Sequence, residues 1–137
     1  MARWKIKNVG MKGVAMAVPK NVVKTSDFDF FSQEEAEVFD NAVGIKSRHI
    51  APDSMCASDM CQAAAEKLIE ELGWERDSID VLLFESVTGD YRTPPTSCIL
   101  QDRLALSENC FCMDIPMGCC GCMYALSLIH ISEPTRP

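Results

Sequence analysis

The 137 residues suffice for one domain with a real core or for part of a larger one, and shares of 47% hydrophobic and 24% charged residues are those of a soluble globular protein. A formal net charge of −7 argues against a nucleic-acid or anionic-membrane partner, because gripping phosphates takes clustered Lys and Arg. The longest mostly apolar run, 9–19 (VGMKGVAMAVP), is broken by Lys12, is too short to cross a bilayer and lacks the layout of a secretory signal, so a cytoplasmic location is expected.

In chain order, KIKNVGMKGVAMAVPK is rich in valine and small residues and predicts a strand closed by a turn at Pro19. SQEEAEVFDNAV predicts a helix: Ser32 can cap it, Glu34 and Glu35 suit its positive end, and Gly44 stops it. GIKSRHIAP follows as an extended piece or turn ending at Pro52. The clearest helix spans 59–72, with Ser58 as N-cap and Gly73 as stop. Met60, Cys61, Ala64, Ala65, Leu68, Ile69 and Leu72 make its apolar stripe. SIDVLLFESV is a continuous apolar run, the pattern of a strand covered on both faces in a parallel sheet. Glu85 interrupts it, and a carboxylate there needs a partner or a place at the strand end. TGDYRTPPTS reads as a loop, Thr96 or Ser97 can start the helix CILQDRLAL, CFCMDI is a further short strand, and CCGCMYAL begins a last helix. This alternation of strand and helix predicts an α/β fold with a mostly parallel sheet.

Eight cysteines would be a disulfide framework in a small secreted domain. Without an export signal, and with several set in apolar segments, most are expected to be reduced packing residues. Cys119, Cys120 and Cys122 crowd one short stretch and admit several readings. As a metal site, the Cys119–Cys122 CxxC wants a second pair on a turn, whereas Cys110 and Cys112 form a CxC inside a strand, and neither His49 nor His130 has knuckle spacing. As a redox pair, the CxxC does open a helix after a strand, but late in the chain and with Cys120 inside it. As a single nucleophile, Cys119 follows a strand, sits in the glycine-containing turn PMGCCG and precedes a helix. Unpaired backbone N–H groups and the positive dipole at such a place favour a thiolate and can hold an oxyanion. Core packing for all three explains the pattern equally well.

DIPMGCCGCMYAL resembles the nucleophile segment of the ketoacyl-ACP synthase III family, in which a strand leads into Gly/Ala-Cys-small-Gly, an apolar residue, then Tyr-Gly/Ala-Leu. VGIKSRHIA is similar to that family's Gly-Ile-x-x-Arg-x-Ile stretch, and SDMCQAAAEKLIEELGWERDSID to the Ser-Asp helix after it. SVTGDYRTPPTSCILQDRLAL is similar to its Thr-x-Asp-Tyr, Pro-x-Thr-Ser and Leu-Gln-x-Arg-Leu block. The resemblance runs in unbroken order over 4–125. It implies a thiolase-like layered αβαβα fold, of which 1–125 would be the N-terminal half.

On that pattern Cys119 is the acyl-accepting cysteine, while Cys120 and Cys122 are packing residues. The implied reaction is acyl transfer from an acyl-CoA primer to Cys119 and then to malonyl-ACP with loss of carbon dioxide, giving a 3-oxoacyl-ACP at the start of fatty acid synthesis. Acyl carrier protein is the implied partner and a homodimer the implied full-length assembly, with no metal and no cofactor. Pro94, before the loop proline Pro95, falls where a residue can reach across the dimer into the acyl pocket. Val38 and Ala42 stand where some members carry an aromatic residue and an arginine that grip CoA, so that grip is missing. The family's His and Asn belong to its second half. His49 is expected to be structural and His130 to lie in the tail, so this segment alone should be inactive and poorly folded. The alternatives are a condensing enzyme of secondary metabolism, or a thiol redox or metal-binding module using Cys119 and Cys122.

The stretch 126–137, LSLIHISEPTRP, matches residue by residue a translation of the transposase adapter of sequencing libraries. It is expected to fail to continue the preceding helix and to be a non-native tail.

Overall fold

The computed structural model describes residues 10–132, which form two compact units: Ala17–Cys56, and the residues that flank it on either side.

In the smaller unit, β1 (Val22–Lys24) pairs antiparallel with β2 (Ser47–His49), Val23 lying opposite Arg48. Between them run a 3-10 turn, Thr25–Asp27, and helix α1 (Gln33–Val43). Ser32 and Glu35 cap α1 reciprocally: the Ser32 hydroxyl accepts from Glu35 N at 3.3 Å and the Glu35 carboxylate from Ser32 N at 2.9 Å. The bonds accepted from Ser32 N and, at 2.7 Å, from the Ser32 hydroxyl hold the Glu35 carboxyl below its usual range. Gly44, at φ 77°, closes the helix in the left-handed region where glycine is unhindered. Arg48 lies over the rings of Phe28 and Phe39, 5.9 and 5.6 Å from their centroids, so its charge is held against aromatic faces. Its Nη1 donates to Thr25 Oγ1 at 3.4 Å, and that hydroxyl donates to Asp40 on α1 at 2.6 Å. The arginine of the GIKSRHIA stretch thus ties α1 to the hairpin.

The larger unit carries helix α2 (Ala57–Leu72), strand β3 (Val81–Glu85), helix α3 (Thr96–Arg103), strand β4 (Phe111–Ile115) and helix α4 (Gly121–Ser132). The strands pair parallel, Leu82 opposite Cys112, Phe84 opposite Asp114 and Glu85 opposite Ile115, as the apolar runs predicted. Side chains alternate across a strand, so Leu82, Phe84, Cys112 and Asp114 share one face, and Glu85 and Ile115 the other. The first face meets α3 and the core, in which Leu104 (1% exposed), Leu106 and Cys110 pack with Ala65, Ile69, Ile79, Leu82 and Cys112. The second meets α4, whose first residue, Gly121, lies against Glu85. The unit is therefore a helix–sheet–helix sandwich, one stretch of the layered fold expected.

Several local expectations change. The stretch 10–19 has no assigned strand, although its burial alternates, with Gly13, Ala15 and Ala17 less exposed than Val14, Met16 and Val18. Its period of two is that of a strand, but no ladder partner stands beside it among the described residues. Helix α2 starts at Ala57, so Ser58 is not its N-cap. Ser58 is fully buried and its hydroxyl donates to the Asp90 carboxylate, a tertiary partner that replaces the local cap. Gly73, at φ 62°, does end α2: Gly73 N bonds Glu70 O and Trp74 N bonds Ile69 O, each at 3.1 Å. Helix α3 stops at Arg103, because Leu104 and Leu106 turn into the core. Ala105, at φ 49°, sits in the same two-bond closure: Ala105 N bonds Asp102 O and Leu106 N bonds Gln101 O. The cover is incomplete only at the strand starts, where Val81 and Phe111 are 37% and 56% exposed. Helix α4 runs through 126 as far as Ser132, so the helix does not break where the tail was placed. Leu, Ser and Ile all tolerate helix, and Pro134 lies outside the described residues.

Candidate active site

Strand β4 ends at Ile115, and the chain turns through Pro116, Met117, Gly118, Cys119 and Cys120 into α4. Met117 N bonds Ile115 O at 2.8 Å and Gly121 N bonds Gly118 O at 2.8 Å, which makes a tight turn with Cys119 and Cys120 at its centre. The Cys120 carbonyl accepts from Met123 N and Tyr124 N at 3.0 and 3.2 Å, so Cys120 caps α4 and Cys119 immediately precedes the cap. The predicted strand–turn–helix setting of Cys119 is therefore formed. Cys119 is exposed.

Cys120 and Cys122 are exposed too, against the expectation that they pack. Of the eight cysteines, only Cys110 is buried and Cys112 half-buried. Burial pushes the Cys112 thiol up to about 12, helped by Cys110, Cys98 and Asp114, so this one is an inert packing thiol. No group of three or more His, Cys, Asp or Glu side chains converges as metal ligands among the described residues.

The turn is fixed from below by two carboxylates of opposite orientation. Asp114, the penultimate residue of β4, accepts from Thr96 N at 2.7 Å and Ser97 N at 2.8 Å, and thereby caps α3 in place of the expected Thr96 or Ser97 side chain. Burial would raise its carboxyl, but the bonds from Ser97 and Thr96 outweigh that and hold it below its usual range. Glu85, half-buried at the end of β3, faces the other way, and a Cβ added at Gly121 would overlap its Oε1, Cδ and Cγ. Glu85 is thus the strand-end residue expected, and the glycine of the motif makes room for it.

A polar network holds the loop between β3 and α3. Ser58 donates to Asp90, and Arg103 Nη1 donates to Ser58 Oγ at 3.0 Å and to Asp59 Oδ1 at 3.1 Å. Asp90 N in turn donates to Thr96 Oγ1 at 3.1 Å. These residues all fall in the blocks that carry the resemblance; sequence assigned Ser58 and Thr96 only helix starts, and Asp90 and Arg103 no role. The isolated Ser, Asp and Arg within apolar helices were the available signal. Beside the loop lies a cleft of about 470 Å³ lined by Phe84, Ser86, Asp90, Tyr91, Asp114 and Pro116. Pro94 is exposed in the same loop after a cis Thr93–Pro94 bond, outside that lining.

In the smaller unit, Val38 and Ala42 line an open groove of about 600 Å³ with Phe31, Phe39, Glu34 and Glu35. Its walls are apolar and its charges negative, a poor seat for a phosphorylated nucleotide, in line with the missing CoA grip. His49 Nδ1 bonds the Pro19 carbonyl at 2.5 Å, a structural role as expected. The side chain of His130 lies outside the described residues.

No protein-family model matches the chain. It is 34% identical over 123 residues to a beta-ketoacyl-(acyl-carrier-protein) synthase III of Clostridium perfringens, a match that covers 90% of this chain and 37% of that protein. The chain thus spans little more than a third of the length of such curated relatives. A 3-oxoacyl-(acyl-carrier protein) synthase from Burkholderia xenovorans superposes with a TM-score of 0.76 at 34% identity, over 88% of this chain and 38% of that one. OleA from Xanthomonas campestris superposes with a TM-score of 0.81 over 92% of this chain and 39% of its own, and at 20% identity shares the fold alone. Over its matched length the chain is similar to the N-terminal part of beta-ketoacyl-(acyl-carrier-protein) synthases III and shares their thiolase-like fold.

Proposed function

We propose that the protein carrying this chain is a condensing acyltransferase that joins an acyl-CoA primer to malonyl-ACP through an acyl-enzyme on Cys119. The observation that supports it most is the placement of Cys119 in an exposed glycine-flanked turn at the start of α4, in a chain 34% identical to synthases of that name. In the first step the Cys119 sulfur attacks the primer thioester carbonyl. The C–S bond to CoA breaks, and CoA leaves with the thiol proton. In the second step malonyl-ACP loses carbon dioxide, and the electron pair left on its α-carbon attacks the acyl group. Cys119 is released and 3-oxoacyl-ACP forms. Backbone N–H groups at the start of a helix are suited to the oxyanion of both steps. The residues that steer decarboxylation lie, on this reading, outside the segment. Acyl carrier protein as partner, a homodimer as assembly, Pro94 as an acyl-pocket residue and a cytoplasmic location belong to the same proposal. No described helix is long and apolar enough to cross a membrane.

The test measures 3-oxoacyl-ACP from an acyl-CoA and malonyl-ACP with the protein that carries this chain. Cys119→Ala should abolish product while Cys120→Ala and Cys122→Ala retain it. Retention by Cys119→Ala, or stoichiometric zinc or a reversible Cys119–Cys122 disulfide in the resting protein, would overturn the reading.

A further inference from the structure

The Glu85 carboxylate has no part in the reaction as outlined, and its position is specific. It ends β3, on the face of the sheet opposite Asp114, and its Oε1, Cδ and Cγ occupy the space that a side chain at Gly121 would fill. Gly121 is the first residue of α4, two places after Cys119. The carboxylate therefore rests on the end of α4 whose aligned backbone dipoles favour negative charge, the same end that would stabilise a Cys119 thiolate. Two anions at one helix end repel, and each occupies part of the stabilisation available to the other. No arginine or lysine follows on the turn or on the described part of α4, and the titratable side chains of the turn and the first turn of α4 are Cys119, Cys120, Cys122 and Tyr124. On β4 the nearest carboxylate, Asp114, is turned away onto the amides of α3.

We propose that Glu85 is a positioning residue for the Cys119 turn: its carboxylate, packed on Gly121, holds the start of α4 in place and keeps Cys119 from taking the full effect of the helix end. The resting thiol is thereby less reactive than the turn alone would make it, and acyl transfer becomes more dependent on pH. Because this rests on Cys119 as the nucleophile, the test separates the two claims.

In the protein that carries this chain, the rate of Cys119 alkylation by iodoacetamide is followed against pH by peptide mass spectrometry, with exposed Cys98 on α3 as internal reference. Glu85→Gln keeps the shape and removes the charge. It should raise Cys119 alkylation near pH 7 roughly threefold to tenfold and move the profile to lower pH, leaving Cys98 unchanged. A Cβ at Gly121 would overlap Glu85 Cγ as well as Cδ and Oε1, so Gly121→Ala displaces the whole side chain and should move the profile in the same direction. A Cys119 profile in Glu85→Gln that superposes on the unaltered protein overturns the proposal and leaves Glu85 as a packing group. Loss of acyl transfer in Cys119→Ala is a separate readout, so a failure of the nucleophile assignment is visible independently.

Discussion

Replacing Asp114 should destabilise the fold more than its half-exposed position suggests, because it satisfies two buried helix-end amides at once. Thr96 N and Ser97 N donate to separate oxygens of the same carboxylate, at 2.7 and 2.8 Å, and both donor residues are fully buried. A hydrogen bond to a charged group contributes about 1.5–3 kcal/mol, and partial solvent access places these bonds near the lower end. Asp114→Asn keeps one acceptor but turns an NH2 group toward the second amide, so the loss should be about 2 kcal/mol. Asp114→Ala leaves both amides without a partner and should cost about 3 kcal/mol. The pH dependence has a definite sign. The native carboxyl titrates below its usual range, so the native state binds that proton more weakly than the unfolded chain. The stabilisation is complete above the unfolded value near pH 3.9 and is lost as pH falls through the lowered native value. Urea unfolding followed by circular dichroism at pH 7 and pH 3 measures both effects. The reasoning fails if Asp114→Asn matches the unaltered protein at pH 7, or if the gap between them widens on acidification.

Leu104→Ala, at the most buried core position, should cost about 3 kcal/mol in the same assay, whereas a loss under 1 kcal/mol would mean the site is not the core of the sandwich. Ala105→Gly should stabilise by about 0.5 kcal/mol, because Ala105 is exposed and holds φ 49° at the close of α3; a destabilised variant would contradict the left-handed closure. Resequencing the source locus should show a reading frame that departs from LSLIHISEPTRP and goes on to encode a glycine-flanked His and a later Asn. A genomic sequence that encodes 126–137 and then stops would refute the adapter origin.

What was legible in the sequence follows the range of the interactions involved. The caps of α1 were readable because Ser32, Glu35 and Gly44 act within one turn of each other. The parallel pairing of β3 and β4 was readable because VLLFE and FCMDI are apolar but for Glu85 and Asp114, with a helix-length connection between them. The setting of Cys119 followed from the same alternation. The start of α3 was not readable, since its cap, Asp114, comes from a strand 17 residues beyond Ser97. Ser58 misled for the same reason: its partner Asp90 lies 32 residues away, and a buried carboxylate outcompetes a local amide for a hydroxyl. Cys110 and Cys112 pack as expected, but Cys120 and Cys122 are exposed, because apolar neighbours in sequence do not ensure cover in space. Glu85 was recognised as anomalous from composition alone, but only the close approach of Gly121 shows what it touches.

The central claim is that one of three adjacent thiols, Cys119, carries the acyl group. It is tested most directly by incubating the protein with an acyl-CoA, digesting it under acidic conditions and sequencing the turn peptide by tandem mass spectrometry. One acyl mass increment per chain, placed on Cys119 and absent in Cys119→Ala, is the predicted result. An increment on Cys120 or Cys122, or no adduct at all in an active preparation, would contradict the account.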